Sequence, residues 1–308
     1  MSGNSPKNGP QNGKPNRRTK GSKPLRSHGM KQRNTPDSPK RAYGQRSHGA
    51  PSQPRRPRGG KDRGRSKSSG QGWIWGWHAV QAVLNNPRRT VHEVIATEAA
   101  AQRLGLSARR SDVKILPPPA LDKILPNGAA HQGLAVKAAP LEWPDLAALA
   151  ADADDDALFL VLDQITDPHN VGAMLRLASA FGARALVMQS RKAPPLFGAT
   201  AKVAVGCIET VPVCLETNIA QSLKTLHDHG FTSVGLAGDT QTVLADALRE
   251  PGRYALVMGA EGPGLRDLVA KTCDHLARIP MMSSDIAGEA ESLNVATAAA
   301  IALYEARR

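Results

Sequence analysis

From residue 157 to the end of the chain, short apolar runs alternate with stretches of helical periodicity, and no other feature constrains the fold as much. The predicted strands are 158–165, 185–188, 211–215, 233–237, 254–258 and 276–280, and the predicted helices are 171–181, 219–229, 263–272 and 293–306. Continuous apolar strands separated by helices are typical of a mostly parallel sheet that is covered on both faces. The sequence therefore predicts an α/β domain over residues 157–308.

A smaller unit precedes this domain, and we expect order to begin at Trp73. The pattern predicts a helix at 78–84, a strand at 91–96, a helix at 99–104, and strands at 113–116 and 131–136. These elements make a small α/β domain over residues 73–140. Residues 141–156, which carry a run of aspartates, are the predicted linker.

The N-terminal segment 1–72 holds the whole basic excess of the chain. The formal charge is +13, but residues 1–72 carry 19 Lys and Arg against two Asp, a net of +17, which leaves −4 for residues 73–308. With few large apolar residues, the segment is predicted to be disordered. Its arginine clusters favour contact with RNA phosphates, and a solubilising tail is the alternative.

Other classes of protein are disfavoured. No apolar run is long enough to span a membrane, and no secretory apolar region follows Met1. The three cysteines lack CxxC spacing, which argues against a disulfide framework or a cysteine zinc site and fits buried thiols in the cytoplasm. The chain has no Gly-x-Gly-x-x-Gly or Walker loop, so dinucleotide and nucleoside-triphosphate sites are disfavoured as well.

Three loops at the carboxyl ends of the predicted strands, 163–170, 259–264 and 281–294, are the places where a parallel sheet binds ligands. Each polar residue there has a simpler interpretation from the pattern alone. Asn170 and Ser292 could each cap a helix, and Asn294 could be a tolerated first-turn residue. Arg176 could be an ordinary surface arginine, and Glu261 could be a carboxylate near a helix N-terminus.

The motifs in these loops resemble those of a known family. Asp163 opens Asp-x-x-x-Asp-Pro-x-Asn-x-Gly-x-x-x-Arg, Met258 opens Met-Gly-x-Glu-Gly-x-Gly, and Ile-Pro-Met at Ile279 is followed by Ser-Leu-Asn-Val at Ser292. In this order they resemble the SpoU (TrmH-type) RNA ribose 2′-O-methyltransferases. The small domain, with His131-Gln132-Gly133, resembles the substrate-binding domain of the RlmB-like branch, which methylates a guanosine of large-subunit ribosomal RNA.

The resemblance implies a fold, a methyl donor and a set of site residues. It implies a C-terminal trefoil knot, a homodimer through the final helix, and an active site that draws on both chains. S-adenosylmethionine would lie against the loops, and no metal is implied. The implied cofactor contacts are Gly238, Gly259, Ile279, Met281 and Leu293, and the implied catalytic residues are Asn170, Arg176, Glu261, Ser292 and Asn294.

Roles follow from the chemistry of these side chains. Because a guanidinium hardly deprotonates, we expect Arg176 to hold a phosphate near the target ribose and to polarise the hydroxyl. Asn170, Ser292 and Asn294 would orient the substrate, and Glu261 would brace the second motif. Two departures from the family pattern stand out: the segment 282–291 is long, and Ala296 replaces a common serine.

The sequence thus predicts methylation of the ribose of a guanosine in large-subunit ribosomal RNA. The small domain favours ribosomal RNA, since simpler relatives acting on transfer RNA lack it. The same chemistry on transfer RNA and a non-catalytic RNA-binding assembly factor remain the alternatives.

Overall fold

The computed structural model describes residues 72–107, 109, 111–281 and 292–308. All of them belong to one unit, Asp62–Arg308. The tail that is predicted to be disordered lies outside the described residues except for Gly72. The long segment 282–291 also lies outside them.

The small domain, here called the front module, is built on a four-stranded sheet of order β1-β4-β2-β3. Its elements are β1 Trp73–Trp75, α1 Trp77–Asn85, β2 Val91–Ala96, α2 Glu98–Leu104, β3 Val113–Ile115, α3 Pro118–Ile124 and β4 Leu134–Ala138. β2 and β3 run parallel, and the other two pairs are antiparallel. Gly76 links β1 to α1 at a φ of 92°, a conformation that favours glycine.

The C-terminal domain contains a six-stranded sheet of order β10-β8-β9-β5-β6-β7, in which every neighbouring pair is parallel. Its strands are β5 Leu158–Leu162, β6 Ala185–Gln189, β7 Val213–Glu216, β8 Thr232–Leu236, β9 Tyr254–Met258 and β10 His275–Ala277. Its helices are α5 Pro168–Ala180, α6 Ala199–Ala204, α7 Ile219–Asp228, α8 Leu244–Ala247, α9 Asp267–Thr272 and α10 Val295–Glu305, and α4 Leu146–Ala151 precedes β5.

Helices cover both faces of this sheet. Apolar residues of α5, α6, α8 and α10 pack on one face, and those of α4, α7 and α9 pack on the other. β5 and β9 lie at the centre and are buried along their whole length, which explains their uninterrupted apolar sequences. The predicted parallel sheet covered on both faces is confirmed.

Several element bounds differ from the prediction for local reasons. Residues 131–133 form a turn, and the third predicted strand of the front module runs from Leu134. The helix predicted from 263 begins at Asp267, because Ala260 and Gly264 exchange backbone hydrogen bonds that close a loop first. The short elements β1, α3, α4, α6 and α8 were not predicted, and they are too short for periodicity to reveal.

The predicted linker contains α4, whose apolar residues Leu146, Leu149 and Ala150 are buried against the C-terminal domain. Asp145 caps this helix by accepting a hydrogen bond from the backbone N–H of Ala148 at 2.8 Å. Part of the segment 141–156 is therefore packed on the sheet. The domain boundaries themselves stay predictions.

The front module and the C-terminal domain share one apolar core. Ile74, Val80 and Val83 of the front module belong to the same buried cluster as Ala204 and Ile208. Beside it, Arg89 forms an ion pair with Glu209, with 2.9 Å between Nη2 and Oε1 and side chains only 4% and 5% exposed. This ion pair and the adjoining core are here called the seam.

Cys214 is buried, whereas Cys207 and Cys273 are partly exposed, and all three are free. Burial, with nearby carboxylates, raises the pKa of the Cys214 and Cys273 thiols to about 12, so both stay protonated and unreactive. The expectation of buried cysteines is thus confirmed for Cys214, whereas Cys207 and Cys273 are only partly buried. Within the described residues, no helix is long and apolar enough to cross a bilayer.

The trefoil knot remains a prediction. It is a property of the complete chain path between β10 and α10, and residues 282–291 of that path lie outside the described part of the chain.

Candidate active site

The order of the strands creates a crevice between β5 and β9. From β5 the chain continues outward to β6 and β7, and then returns to the other side of β5 to form β8, β9 and β10. Ligands of open parallel sheets bind at such a reversal, beyond the carboxyl ends of the strands. Leu162 pairs with Met258, so Asp163 and Gly259 leave the sheet at the same level.

Asp163 fixes the floor of this crevice. Its side chain is fully buried and accepts hydrogen bonds from the backbone N–H of Arg266 at 2.9 Å, from Nε at 2.8 Å and from Nη2 at 2.5 Å. A buried carboxylate needs such partners to remain charged. The contact attaches the loop after β5 to the start of α9. The sequence assigned no role to Asp163 beyond its place at the start of the first motif.

Three of the predicted catalytic residues meet above this floor. Glu261 Oε1 accepts hydrogen bonds from Asn170 Nδ2 at 3.0 Å and from Asn294 Nδ2 at 2.8 Å. The backbone N–H of Val295 lies 3.4 Å from the same oxygen, and Asn294 Nδ2 lies 3.4 Å from Asn170 Oδ1. Residues far apart in the chain, one from each loop, therefore form one cluster, here called the amide–carboxylate cluster.

The helix caps rule out three of the simpler interpretations, namely Asn170 or Ser292 as a cap and Asn294 as a first-turn residue. Asp167, rather than Asn170, caps α5, since its Oδ2 accepts from the backbone N–H of Asn170 at 3.0 Å. This leaves the Asn170 side chain to bind Glu261. Asn294, rather than Ser292, caps α10, and its Oδ1 accepts from the backbone N–H of Ala296 at 2.9 Å. One side chain thus serves the helix with its oxygen and the cluster with its nitrogen.

Arg176 and Ser292 lie apart from this cluster. Arg176 is on the exposed face of α5, and within the described residues it makes no hydrogen bond or ion pair. Ser292 is exposed and borders a neighbouring cavity at the carboxyl ends of β8 and β10. The structure therefore joins three of the five predicted catalytic residues within a single chain.

That neighbouring cavity has a volume of about 170 Å³. Four of the five predicted cofactor residues line it: Gly238, Ile279, Met281 and Leu293. Their apolar side chains and the open space beside Gly238, where a Cβ would meet no atom within 4 Å, suit the face of an adenine ring. The fifth residue, Gly259, does not line the cavity. A Cβ there would lie 2.3 Å from the backbone carbon of Gly264, so glycine is needed to close the loop after β9.

Two polar cavities open beside the cluster. One, of about 200 Å³, is lined by Thr166, Asp167, Asn170 and Glu261 among others. The next, of about 380 Å³, is lined by Gln164, Thr166, Gln189, Arg191 and Lys192. Polar walls and two cations next to the crevice are suited to a phosphorylated chain such as RNA. In the described part of the chain, no group of three or more His, Cys, Asp or Glu residues could hold a metal ion.

Comparison with known proteins decides the family. The model of the SpoU rRNA Methylase family matches residues 157–304, and that for RNA 2′-O ribose methyltransferase substrate binding matches residues 73–144. The chain is 40% identical over 250 residues to the 23S rRNA (guanosine-2′-O-)-methyltransferase RlmB of Vibrio cholerae serotype O1, covering 76% of this chain and 96% of that protein. The chain belongs to the SpoU rRNA methylase family. The resemblance seen in the three motifs is confirmed.

Solved structures of two methyltransferases share the fold. The SpoU methyltransferase AviRb from Streptomyces viridochromogenes, in complex with the cofactor AdoMet, has a TM-score of 0.63 at 21% identity and covers 79% of this chain and 92% of its own. An AdoMet-bound rRNA methyltransferase from Sinorhizobium meliloti has a TM-score of 0.64 at 22% identity, with 76% and 86% covered. At these identities the likeness concerns the fold alone.

Sequence reasoning missed the contacts that hold the front module against the C-terminal domain of this SpoU protein. Gln132 Oε1 accepts hydrogen bonds from the backbone N–H of Trp77 at 2.9 Å and from Lys202 Nζ at 2.8 Å. A signal existed, because Gln132 lies in the His131-Gln132-Gly133 motif and adopts a φ of 55°, which is uncommon outside glycine. No comparable signal marks Arg89 and Glu209.

Proposed function

We propose that this protein transfers a methyl group from S-adenosylmethionine to the ribose 2′-hydroxyl of a guanosine in large-subunit ribosomal RNA. The observation that carries the proposal is the 40% identity to a protein named 23S rRNA (guanosine-2′-O-)-methyltransferase RlmB, which extends over 96% of that protein. The alignment includes the front module, whose family model describes RNA substrate binding. We also expect the reaction to take place in the cytoplasm, where ribosomal RNA is found.

The proposed donor site is the cavity lined by Gly238, Ile279, Met281 and Leu293. When bound, S-adenosylmethionine supplies an electrophilic methyl group on a sulfonium. Ser292 borders the same cavity and Asn294, two residues later, belongs to the amide–carboxylate cluster. The donor cavity and the cluster therefore meet at the start of α10, which suits a reaction between two bound groups.

Within the cluster, we assign Asn170 and Asn294 to orienting the ribose and Glu261 to bracing them. The carboxylate oxygen that accepts from both amides holds the two side chains in a fixed geometry. Positioning a hydroxyl in line with an electrophile supplies about 7–11 kcal/mol of rate enhancement. Because a guanidinium keeps its charge in proteins, the proposed role of Arg176 is to hold a phosphate next to the target ribose and polarise the hydroxyl.

The placement of Arg176 supports a homodimer in which it serves the partner's site. α10 buries Val295, Ala299, Ala302 and Leu303, but Ile301 is 37% exposed and Tyr304 is 57% exposed. With Thr297 they form an i, i+4, i+7 stripe along the uncovered side of a helix that packs on α5, the helix of Arg176. A second chain on this stripe would explain why residues 295–303 carry no charge.

The test measures transfer of labelled methyl groups to ribosomal or transfer RNA that lacks its native methylations. We expect label in ribosomal RNA, at a guanosine 2′-oxygen. Arg176→Ala is expected to reduce transfer on the order of 10²–10³-fold while calorimetric binding of S-adenosylmethionine is unchanged. Label in transfer RNA alone would show that the proposed ribosomal RNA substrate is wrong. The absence of both label and cofactor binding would favour a non-catalytic assembly factor.

We assign contact with RNA phosphates to the basic tail, residues 1–72. Its net charge of +17 contrasts with −4 for the rest of the chain. Deleting residues 1–70 is expected to leave cofactor binding unchanged and to weaken RNA binding, most strongly at low salt, because phosphate contacts release counterions. Equal RNA affinity of both proteins at low salt would contradict this role.

A further inference from the structure

Another cavity, of about 720 Å³, opens between the front module and the C-terminal domain. Trp75 and Ala130 of the front module form part of one wall, and Phe197, Thr200 and Lys202 form part of the other. His169 also lines it and directly precedes Asn170 of the amide–carboxylate cluster. The cavity and the cluster therefore share the first turn of α5. We call it the seam cavity.

Thr200 borders the seam cavity with a hydroxyl that is closed off from solvent. The residue is fully buried, and its Oγ1 is the buried side-chain atom without a hydrogen-bond partner in the part of the chain that the structure describes. Close packing of α5 on α6 explains the burial, since a Cβ on Gly172 would lie only 2.7 Å from the Thr200 carbonyl oxygen. A buried hydroxyl without a partner is destabilising, and such groups call for a functional explanation.

Lys202 adds an ammonium that no carboxylate of the described residues neutralises. Nζ donates to the neutral Gln132 Oε1 at 2.8 Å, and among the described residues no carboxylate pairs with it. Burial lowers the pKa of Lys202, which reflects a partly desolvated ammonium. An ammonium carries three donors, so two remain for an acceptor in the cavity.

We propose that the seam cavity receives one unstacked purine base of the RNA, at or beside the methylated nucleotide. The inference rests on the proposed function and names a base-binding subsite of the same active site. Apolar and aromatic walls with a few polar groups suit a base better than a phosphate, and RNA is read by bases drawn out of their stacks. The donors of Lys202 match guanine, which presents the acceptors O6 and N7, whereas adenine presents an amino donor beside N7.

Two variants separate this role from a structural one. Ala130→Trp places an indole in the cavity from an exposed position, and Gln102→Trp, on an exposed part of α2 that does not line the cavity, is its matched control. Thr200→Val removes the buried hydroxyl at nearly constant volume. Because that hydroxyl has no hydrogen-bond partner among the residues that the structure describes, Thr200→Val should leave the melting temperature unchanged or raise it.

The readouts are kcat/KM for methylation of unmodified ribosomal RNA, the affinity for that RNA by filter binding, and calorimetric binding of S-adenosylmethionine. We expect Ala130→Trp to lower kcat/KM about 10- to 100-fold, the range expected for losing one bound base. Thr200→Val should leave it unchanged, because this hydroxyl is closed off from the cavity. Cofactor binding should be unchanged in all variants, and Gln102→Trp should match the wild type.

The outcomes distinguish this proposal from the proposed function. If the wild type methylates and Ala130→Trp has the same kcat/KM, the base subsite is wrong and the function stands. If the wild type does not methylate ribosomal RNA, the function is wrong, and RNA affinity then decides the subsite. Weaker RNA binding by Ala130→Trp than by Gln102→Trp would support it, and equal binding would overturn it. A lower melting temperature of Thr200→Val would show that the hydroxyl has a structural partner.

Discussion

The amide–carboxylate cluster in the crevice and the seam between the two modules hold carboxylates in opposite ways. In the crevice, Glu261 is exposed and its partners are the neutral side chains of Asn170 and Asn294. In the seam, Glu209 is 5% exposed and pairs with the guanidinium of Arg89. The crevice leaves charge and amide groups accessible to a substrate, whereas the seam neutralises its charges internally.

This difference indicates distinct tasks. A buried pair contributes little net stability over an apolar pair, but removing one partner is costly, so such a pair fixes one arrangement of the modules. An exposed carboxylate bound to amides can exchange partners at low cost, because water replaces whichever contact is lost. We therefore expect seam variants to change stability and crevice variants to change catalysis.

The largest expected effect comes from breaking the seam. Glu209→Ala would leave the Arg89 charge buried beside Ala139 O, and should lower the free energy of unfolding by about 3–5 kcal/mol. Urea unfolding followed by circular dichroism measures this loss. The double variant Arg89→Met with Glu209→Leu removes both charges and should recover most of it. A single variant as stable as the wild type would show that the seam opens to water in solution.

The second prediction concerns the crevice. Glu261→Ala removes the shared acceptor of Asn170 and Asn294, so both amides lose their fixed geometry, and kcat/KM for RNA methylation should fall on the order of 10²-fold. The free energy of unfolding should change by less than about 1 kcal/mol because the side chain is exposed. Glu261→Gln keeps an acceptor and should retain more activity. A loss of stability as large as that in the seam would contradict the proposed division of tasks.

Asn294 both caps α10 and belongs to the amide–carboxylate cluster, and two substitutions separate these two roles. Asn294→Ala removes the cap of α10 and should cost about 1 kcal/mol of unfolding free energy, whereas Asn294→Ser retains a capping oxygen and should cost only a few tenths. Both lack the amide N–H that Asn294 donates to Glu261, so both should lower methylation. Full activity of Asn294→Ser would show that the cap is the only role of this residue.

The sequence predicted the crevice well because its geometry follows from topology. Parallel strands bring the ends of β5 and β9 to one edge, so the residues after Leu162 and Met258 must meet there whatever their separation in the chain. The motifs then named Asn170, Glu261 and Asn294. In contrast, Arg176 lies on the exposed face of α5, apart from this cluster, and its role stays a prediction.

The seam could not be predicted for a related reason. Arg89 and Glu209 are 120 residues apart, and Glu209 lies on a one-turn 3₁₀ helix without periodicity. Nothing in the pattern says which lateral surfaces of two modules will face each other, since that depends on how many side chains pack together. The sequence did not predict α6 for the same reason. The seam cavity, which α6 helps to line, was therefore missed as well.

The smallest effect is expected where a carboxylate is intermediate between the two regions. The side chain of Asp274 is 44% exposed, and its Oδ2 accepts from Ser233 N at 2.8 Å and from Ser233 Oγ at 2.9 Å. Burial raises the pKa of Asp274, but these hydrogen bonds and the charges of His227 and His275 outweigh burial, so the pKa lies below its ordinary value of 3.8. The carboxylate therefore stabilises the fold above that value.

Because the folded-state pKa is depressed, this contribution is present at neutral pH and is lost as the pH falls through the folded-state pKa, below 3.8. At pH 6 the free energy of unfolding of the wild type should exceed that of Asp274→Asn by less than about 1 kcal/mol, since solvent screens a half-exposed group. Thermal melts at pH 6, 4, 3 and 2 should show the difference shrinking toward zero. A difference as large at pH 2 as at pH 6 would mean that the hydrogen bonds from Ser233 act independently of the charge, so that exposure does not determine what a carboxylate contributes here.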